Sequence, residues 1–109
     1  MPARRHFDGI VQLSLCMAPD LKTARKIAAV LVDGKLAACV SIQKGWESRY
    51  RWKGKTETAV ETFVLIKAAK KNFLKIEKAI LKNQPYEVPE IVAVPVVKGH
   101  QKYLEWLKG

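Results

Sequence analysis

An α+β fold organised around one unusually long β-hairpin is predicted by three features of this chain. Residues Leu36 to Lys67 read as two extended strands joined by a tight turn at Lys53-Gly54-Lys55. Segments of period two alternate with segments of helical spacing on both sides of that hairpin. No internal repeat, low-complexity stretch or linker divides the 109 residues, so one domain with one core is expected.

The elements follow in order. Ile10 to Cys16 alternates, with Val11, Leu13 and Leu15 against Gln12, Ser14 and Cys16, which predicts a strand that buries its odd-numbered face. Pro19-Asp20 opens a helix with Asp20 as its N-cap. Leu21, Ala24, Ile27, Ala28 and Leu31 recur at helical spacing, and Gly34 stops it. In the first hairpin strand Ala38, Val40, Ile42, Trp46, Ser48, Tyr50 and Trp52 share one parity, and Cys39, Ser41, Gln43, Glu47, Arg49 and Arg51 the other. The expectation is a mostly apolar face backed by a mostly polar one. Leu36 to Trp52 would reach ~55 Å if straight, against a diameter near ~35 Å for a domain of this size. The hairpin must therefore bend, with Gly45 the candidate, or project. A projecting arm tipped with Tyr50 and Trp52 needs another subunit to cover it.

The returning strand, Glu57 to Lys67, is apolar on both faces and is expected to be central. Lys70 to Lys82 reads as a helix with Phe73, Ile76, Ile80, Leu74 and Leu81 as its stripe, ended by Asn83. Pro85 and Pro89 bracket an extended segment. Ile91 to Val97 is an apolar strand whose Pro95 places it at an edge or a bulge. Gly99 precedes a short helix with Tyr103, Leu104, Trp106 and Leu107. Strand, helix, strand, strand, helix, strand is the split β-α-β, or ferredoxin-like, unit, here with a long hairpin and a C-terminal helix, its helices over one sheet face. Residues 1–7 are expected to be a flexible start.

Twenty Lys+Arg against ten Asp+Glu leave a net charge of +10. The excess favours anionic partners, although lysines scattered along helices also describe an ordinary solvated exterior. No apolar run is long enough to span a bilayer, and Met1 to His6 has two arginines without the apolar core of a signal peptide, so no membrane partner is expected. Cys16 and Cys39 are expected to be reduced thiols of a cytoplasmic protein. Phosphate loops, H-E-x-x-H and G-x-S-x-G are missing, which argues against an enzyme.

Five blocks carry a family resemblance: Cys16-Met17-Ala18-Pro19-Asp20, Lys35-Leu36-Ala37-Ala38-Cys39-Val40, Tyr50-Arg51-Trp52-Lys53-Gly54-Lys55, Pro85-Tyr86-Glu87-Val88-Pro89-Glu90-Ile91 and Tyr103-Leu104-Glu105-Trp106-Leu107. In this order and spacing they resemble the CutA family of divalent-cation tolerance proteins, from about residue 10 to the C-terminus. The resemblance implies a ferredoxin-like homotrimer related to the PII signalling proteins, with hairpins packed on neighbouring subunits. It implies a role in tolerance to divalent metals, copper in particular, and it does not imply catalysis or an obligatory cofactor.

The family's metal locus maps onto Cys16 and, where some members carry a His-His pair, onto Asn83 and Gln84. Amide oxygens are weak ligands for copper or zinc, so copper or another divalent cation is expected to bind weakly. Cys16 reads equally as a buried thiol or as a ligand; Cys39 reads as core, and His6 and His100 as surface side chains. Around the family's intersubunit cleft stand Tyr50, Trp52, Glu61, Lys67, Tyr86 and Glu90. Glu61 and Lys67 share a strand face and suit a small anionic or zwitterionic ligand, or an ion pair between subunits, which is the favoured reading. Tyr50, Trp52 and Trp106 are expected to anchor packing in preference to stacking a ligand. A nucleic-acid module of the same topology is the alternative and the weaker one, because it needs aromatic and basic groups on an open sheet face.

Overall fold

The computed structural model describes residues 10–109; the expectations for residues 1–7, including His6, fall outside them. Strands β1 (Val11–Ala18), β2 (Cys39–Trp52), β3 (Lys55–Ala69) and β4 (Ile91–Pro95) form one antiparallel sheet in the order β2-β3-β1-β4. Helix α1 (Leu21–Asp33) joins β1 to β2. A 3-10 turn (Lys70–Asn72) leads into α2 (Phe73–Lys82), which joins β3 to β4, and α3 (Gln101–Lys108) ends the chain. This is the ferredoxin-like α+β arrangement. β3 is central and β4 is an edge that Pro95 terminates, both as their composition predicts.

The start and stop signals act as expected. Asp20 caps α1 by accepting the Thr23 amide at 2.7 Å. Gly34 closes the helix at φ −79°, and the left-handed turn falls on Lys35 at φ +60°. A Cβ on Gly34 would sit 2.7 Å from the Val30 carbonyl oxygen, so close approach explains this glycine. Leu36 and Ala37 both donate their amides to the Leu31 carbonyl. That ties them to the helix end, so β2 begins at Cys39 and not at Leu36. The hairpin turn is two residues, Lys53 at φ +51° and Gly54 at φ +79°, a pair of positive φ values whose twist matches the flanking strands.

Two sequence expectations about faces are overturned. First, the helix-covered side of β1 is the even one: Ser14, Cys16 and Ala18 are buried beneath Ala24, Ile27 and Leu31 of α1 and Ile76 and Ile80 of α2. Leu13 and Leu15 are only half-buried on the other side. Second, β2 changes parity. Gln43 pairs with Phe63 and Trp46 with Glu61, so Lys44 and Gly45 together span the position of Thr62. This bulge, with Gly45 at φ +84°, leaves Val40 and Ile42 on the helix side. It turns Trp46, Ser48, Tyr50 and Trp52 onto the face of Glu61 and Phe63.

The hairpin therefore bends and also projects, and the molecule measures 48 × 29 × 22 Å. The second face is not bare throughout. Leu104 and Leu107 of α3 bury Val11 where β1 begins. Beyond that end, Leu13, Leu15, Leu65 and Phe63 are half-buried, and Val92 and Val94 are exposed.

The bulge carries a prediction. A Cβ on Gly45 meets nothing within 4 Å, so the cost of replacing it is conformational. Gly45→Ala should destabilise by about 1–2 kcal/mol, and Gly45→Asn by less, because asparagine tolerates positive φ. Urea unfolding of both variants measures this, and equal stability to the parent would mean that the bulge does not depend on glycine.

Candidate functional site

The bend places the base of the hairpin against the segment after α2. A cleft of about 760 Å³ opens there, walled by Trp46, Tyr50 and Trp52 from β2 and by Tyr86 and Val88 from the Pro85–Glu90 segment, with Met17 and Glu61 also lining it. Its geometry is fixed by a few contacts. The Tyr86 hydroxyl donates to Glu61 Oε2 at 2.8 Å, which ties the post-helix segment to β3. Trp46 stacks on Phe63 with centroids 4.3 Å apart and planes at 22°, and its Nε1 donates to Gln43 Oε1 at 3.3 Å. At the tip, Lys53 Nζ lies 5.7 Å from the Trp52 ring centroid, a cation–π distance.

The cleft is acidic although the chain is strongly basic: Glu61, Glu87 and Glu90 line it against Arg49. Burial, then the hydrogen bond to Glu61, pushes the Tyr86 hydroxyl well above the ordinary tyrosine range. Tyr86 is thus a donor at any physiological pH, and it orients Glu61 without exchanging a proton with it.

Five of the residues expected here come together: Tyr50, Trp52, Glu61, Tyr86 and Glu90. Lys67 does not. It stands six residues along β3 from Glu61, roughly 20 Å at the usual strand rise, and its Nζ donates to Ser41 Oγ at 3.1 Å. No Glu61–Lys67 pair forms within the chain. Trp106 lies on α3 at the opposite end, tilted against Tyr103 with centroids 5.7 Å apart. Met17, Trp46, Arg49 and Glu87 were not among the expected cleft residues. Only the parity change at Gly45 could have signalled Trp46, because it moves that side chain to the side of Glu61.

The metal locus is also split. Gln84 Nε2 donates to Cys16 Sγ and to the Met17 carbonyl, each at 3.5 Å. Asn83 turns the other way: its side chain donates to the Ala79 carbonyl at 2.7 Å and finishes α2. Cys16 is completely buried. Burial first, then the charge of Glu90 and last that of Glu61, push its thiol up to about 12, with the Gln84 hydrogen bond opposing them. Metal ligation uses the thiolate, which this environment disfavours, and one protonated thiol beside one amide does not fit a resident copper or zinc ion. Among the described residues no cluster of three or more His, Cys, Asp or Glu could hold a metal. His100 is exposed at the start of α3, and Cys39 is half-buried at the start of β2.

The thiol makes a signed prediction. Below its ordinary value of 9.0, folded and unfolded chains both keep the Cys16 proton, so the group adds no pH dependence. Between 9.0 and about 12 the unfolded chain loses the proton and the folded chain holds it, so stability falls as pH rises. Across that window the parent should lose roughly 1.4 kcal/mol more per pH unit than Cys16→Ala. Urea unfolding at stepped pH reads the difference, and parallel slopes would show that the thiol ionises freely in the fold.

The comparisons agree with this geometry. The family model described as CutA1 divalent ion tolerance protein matches residues 12–109. A relative from Thermus thermophilus, named divalent-cation tolerance protein CutA, is 40% identical over 97 residues, covering 89% of this chain and 94% of the relative. The solved structure of divalent cation tolerance protein Cut A1 from Thermus thermophilus superposes with a TM-score of 0.88 at 39% identity, covering 91% of this chain and 96% of that one. The crystal structure of CutA from Xylella fastidiosa gives 0.86 at 40% identity, covering 89% and 93%. This chain belongs to the CutA1 divalent ion tolerance family.

Proposed function

We propose that the protein serves divalent-cation tolerance as a homotrimer without catalytic activity, and that its working site is the cleft completed between subunits. The observation that carries this reading is the uncovered sheet face. Leu13, Leu15, Phe63 and Leu65 are half-buried there, Val92 and Val94 are exposed, and Trp46, Tyr50 and Trp52 extend the same face along the projecting hairpin. A contiguous apolar patch of this kind marks an interaction surface. A closed symmetric assembly covers it with copies of the same hairpin.

Copper is the proposed effector, weakly held. Of the substituted pair, only Gln84 touches Cys16. A small anionic ligand in the cleft would face Glu61, Glu87 and Glu90 with Arg49 but without Lys67, so three carboxylates oppose that alternative. An RNA-reading role would need basic and aromatic groups across the open face, whose middle carries leucine and valine. Two free cysteines, Cys16 and Cys39, support a reducing cytoplasm as the site of action.

Light scattering at micromolar concentration should give a particle of roughly 37 kDa, three copies of the 12.3 kDa chain. Trp52→Ala should weaken the assembly, with a loss of about 3–5 kcal/mol if the ring is fully buried in the trimer. A monomer mass for the parent, or an unchanged particle in the variant, would overturn the corresponding claim.

The metal reading has its own test. Replacing Asn83 and Gln84 together by histidine should raise copper affinity in calorimetric titration, with most of the gain from Gln84→His because it adjoins Cys16. Cys16→Ser should lower what binding the parent has. Tight parental copper binding that survives Cys16→Ser would put the ion elsewhere.

A further inference from the structure

Helix α2 has two apolar stripes where a helix with one core needs one. Ile76 and Ile80 point into the core. Leu74 and Leu81 do not: they are 75% and 52% exposed. Seven residues separate them, so they lie on the same side, about 10 Å apart. Beside them run Lys75, Lys78 and Lys82, preceded by Lys71 in the 3-10 turn, and all four are exposed. Spacings of four, three and four keep these lysines in one row. The helix has a single acidic side chain, Glu77, which is half-buried. This segment is strongly basic: residues 70–82 hold five lysines and one glutamate.

We propose that this outward face of α2 docks the protein on an anionic lipid bilayer. The lysine row meets the headgroups, and the two leucines seat in the boundary between headgroups and acyl chains. No span is required, and no helix among the described residues is long and apolar enough to cross a membrane. Charge decides among the possible occupants. Two copies of the chain meeting through this face would set one lysine row against another, which like charges oppose. A nucleic acid would attract the lysines but leave Leu74 and Leu81 without a role, and α2 offers neither an arginine nor an exposed aromatic ring for bases. An anionic bilayer satisfies both rows at once. The face lies on the helix layer, away from the open sheet face, so the inference holds whether or not the chain is a trimer.

The test is co-sedimentation of the full chain with vesicles at about 0.15 M salt. Vesicles of phosphatidylcholine containing about one-third phosphatidylglycerol should bind the protein, and pure phosphatidylcholine should not. Lys75→Gln and Lys78→Gln should each weaken binding about fivefold. Leu74→Ser with Leu81→Ser should weaken it by ~10-fold or more, while the fold is retained because both side chains are exposed. Equal binding by the leucine variant would reduce the effect to counterion adsorption and overturn the proposal. So would a smaller particle mass for that variant, which would assign the leucines to a contact between copies, or tighter binding to a nucleic-acid duplex than to the vesicles.

Discussion

One extra residue in β2 decides what each side of this molecule is for. Without the bulge, the aromatic half of the hairpin would continue on the face of Val40 and Ile42, which α1 and α2 pack against. Trp46, Tyr50 and Trp52 would then extend the helix-side core into solvent. With Gly45 held at φ +84°, the strand turns over, and the same side chains join Glu61 and Phe63. The stack of Trp46 on Phe63, the cleft and the continuity of the aromatic arm with the open sheet face all depend on that turnover. Glycine is favoured because a Cβ at this φ is strained and would meet nothing within 4 Å to offset the cost.

The second constraint is volume. Between helices and sheet, most of the large buried side chains come from the helices, Ile27, Leu31, Ile76 and Ile80, with Ile66 from β3. Against them β1 presents Ser14, Cys16 and Ala18, and β3 adds Ala68 beside Val64 and Ile66. Close packing at crystal-like density allows large groups on one layer only where the other is small. Leu13 and Leu15 are accordingly displaced to the opposite face. The same packing accounts for Cys16: a thiol fits that layer as a small apolar group, and its burial beside Glu61 and Glu90 keeps it protonated. Core packing and soft-metal chemistry make opposite demands on this sulfur, and its surroundings favour packing.

This also explains how far the sequence could be read. Element order, caps and turns were legible because their signals are local. Asp20, Gly34, Lys53-Gly54 and Pro95 each act within a few residues of themselves. Facing was less legible. Alternation in β1 separates two faces but does not say which one the helices cover, and the larger residues were a misleading guide where the helices already supply the bulk. In β2, parity alone cannot locate a bulge, although Gly45 marked its position. Of the site, Tyr50, Trp52, Tyr86 and Glu90 were visible in their sequence blocks, and Glu61 came from its place on the returning strand. The separation of Lys67 from Glu61 needed only the strand rise, whereas the opposite turns of Asn83 and Gln84 depend on how α2 ends.

The three surfaces that result differ in chemistry because they differ in what backs them. The open sheet face is apolar because the other side of each strand is already committed to the helices. The cleft is acidic because Glu61, on β3 opposite the turned-over half of β2, meets Glu87 and Glu90 on a segment that two prolines hold extended. Tyr86 bridges the two through its bond to Glu61. The helix layer faces outward with the lysines that no acidic partner on the same helix balances, apart from Glu77. A net charge of +10 is therefore not a property of the whole surface. The surplus is shared between the lysines of α2 and the hairpin arm, with Lys44, Arg49, Arg51, Lys53 and Lys55, whereas three glutamates line the cleft, so a cation entering the cleft and an anionic surface meeting α2 would approach through separate faces.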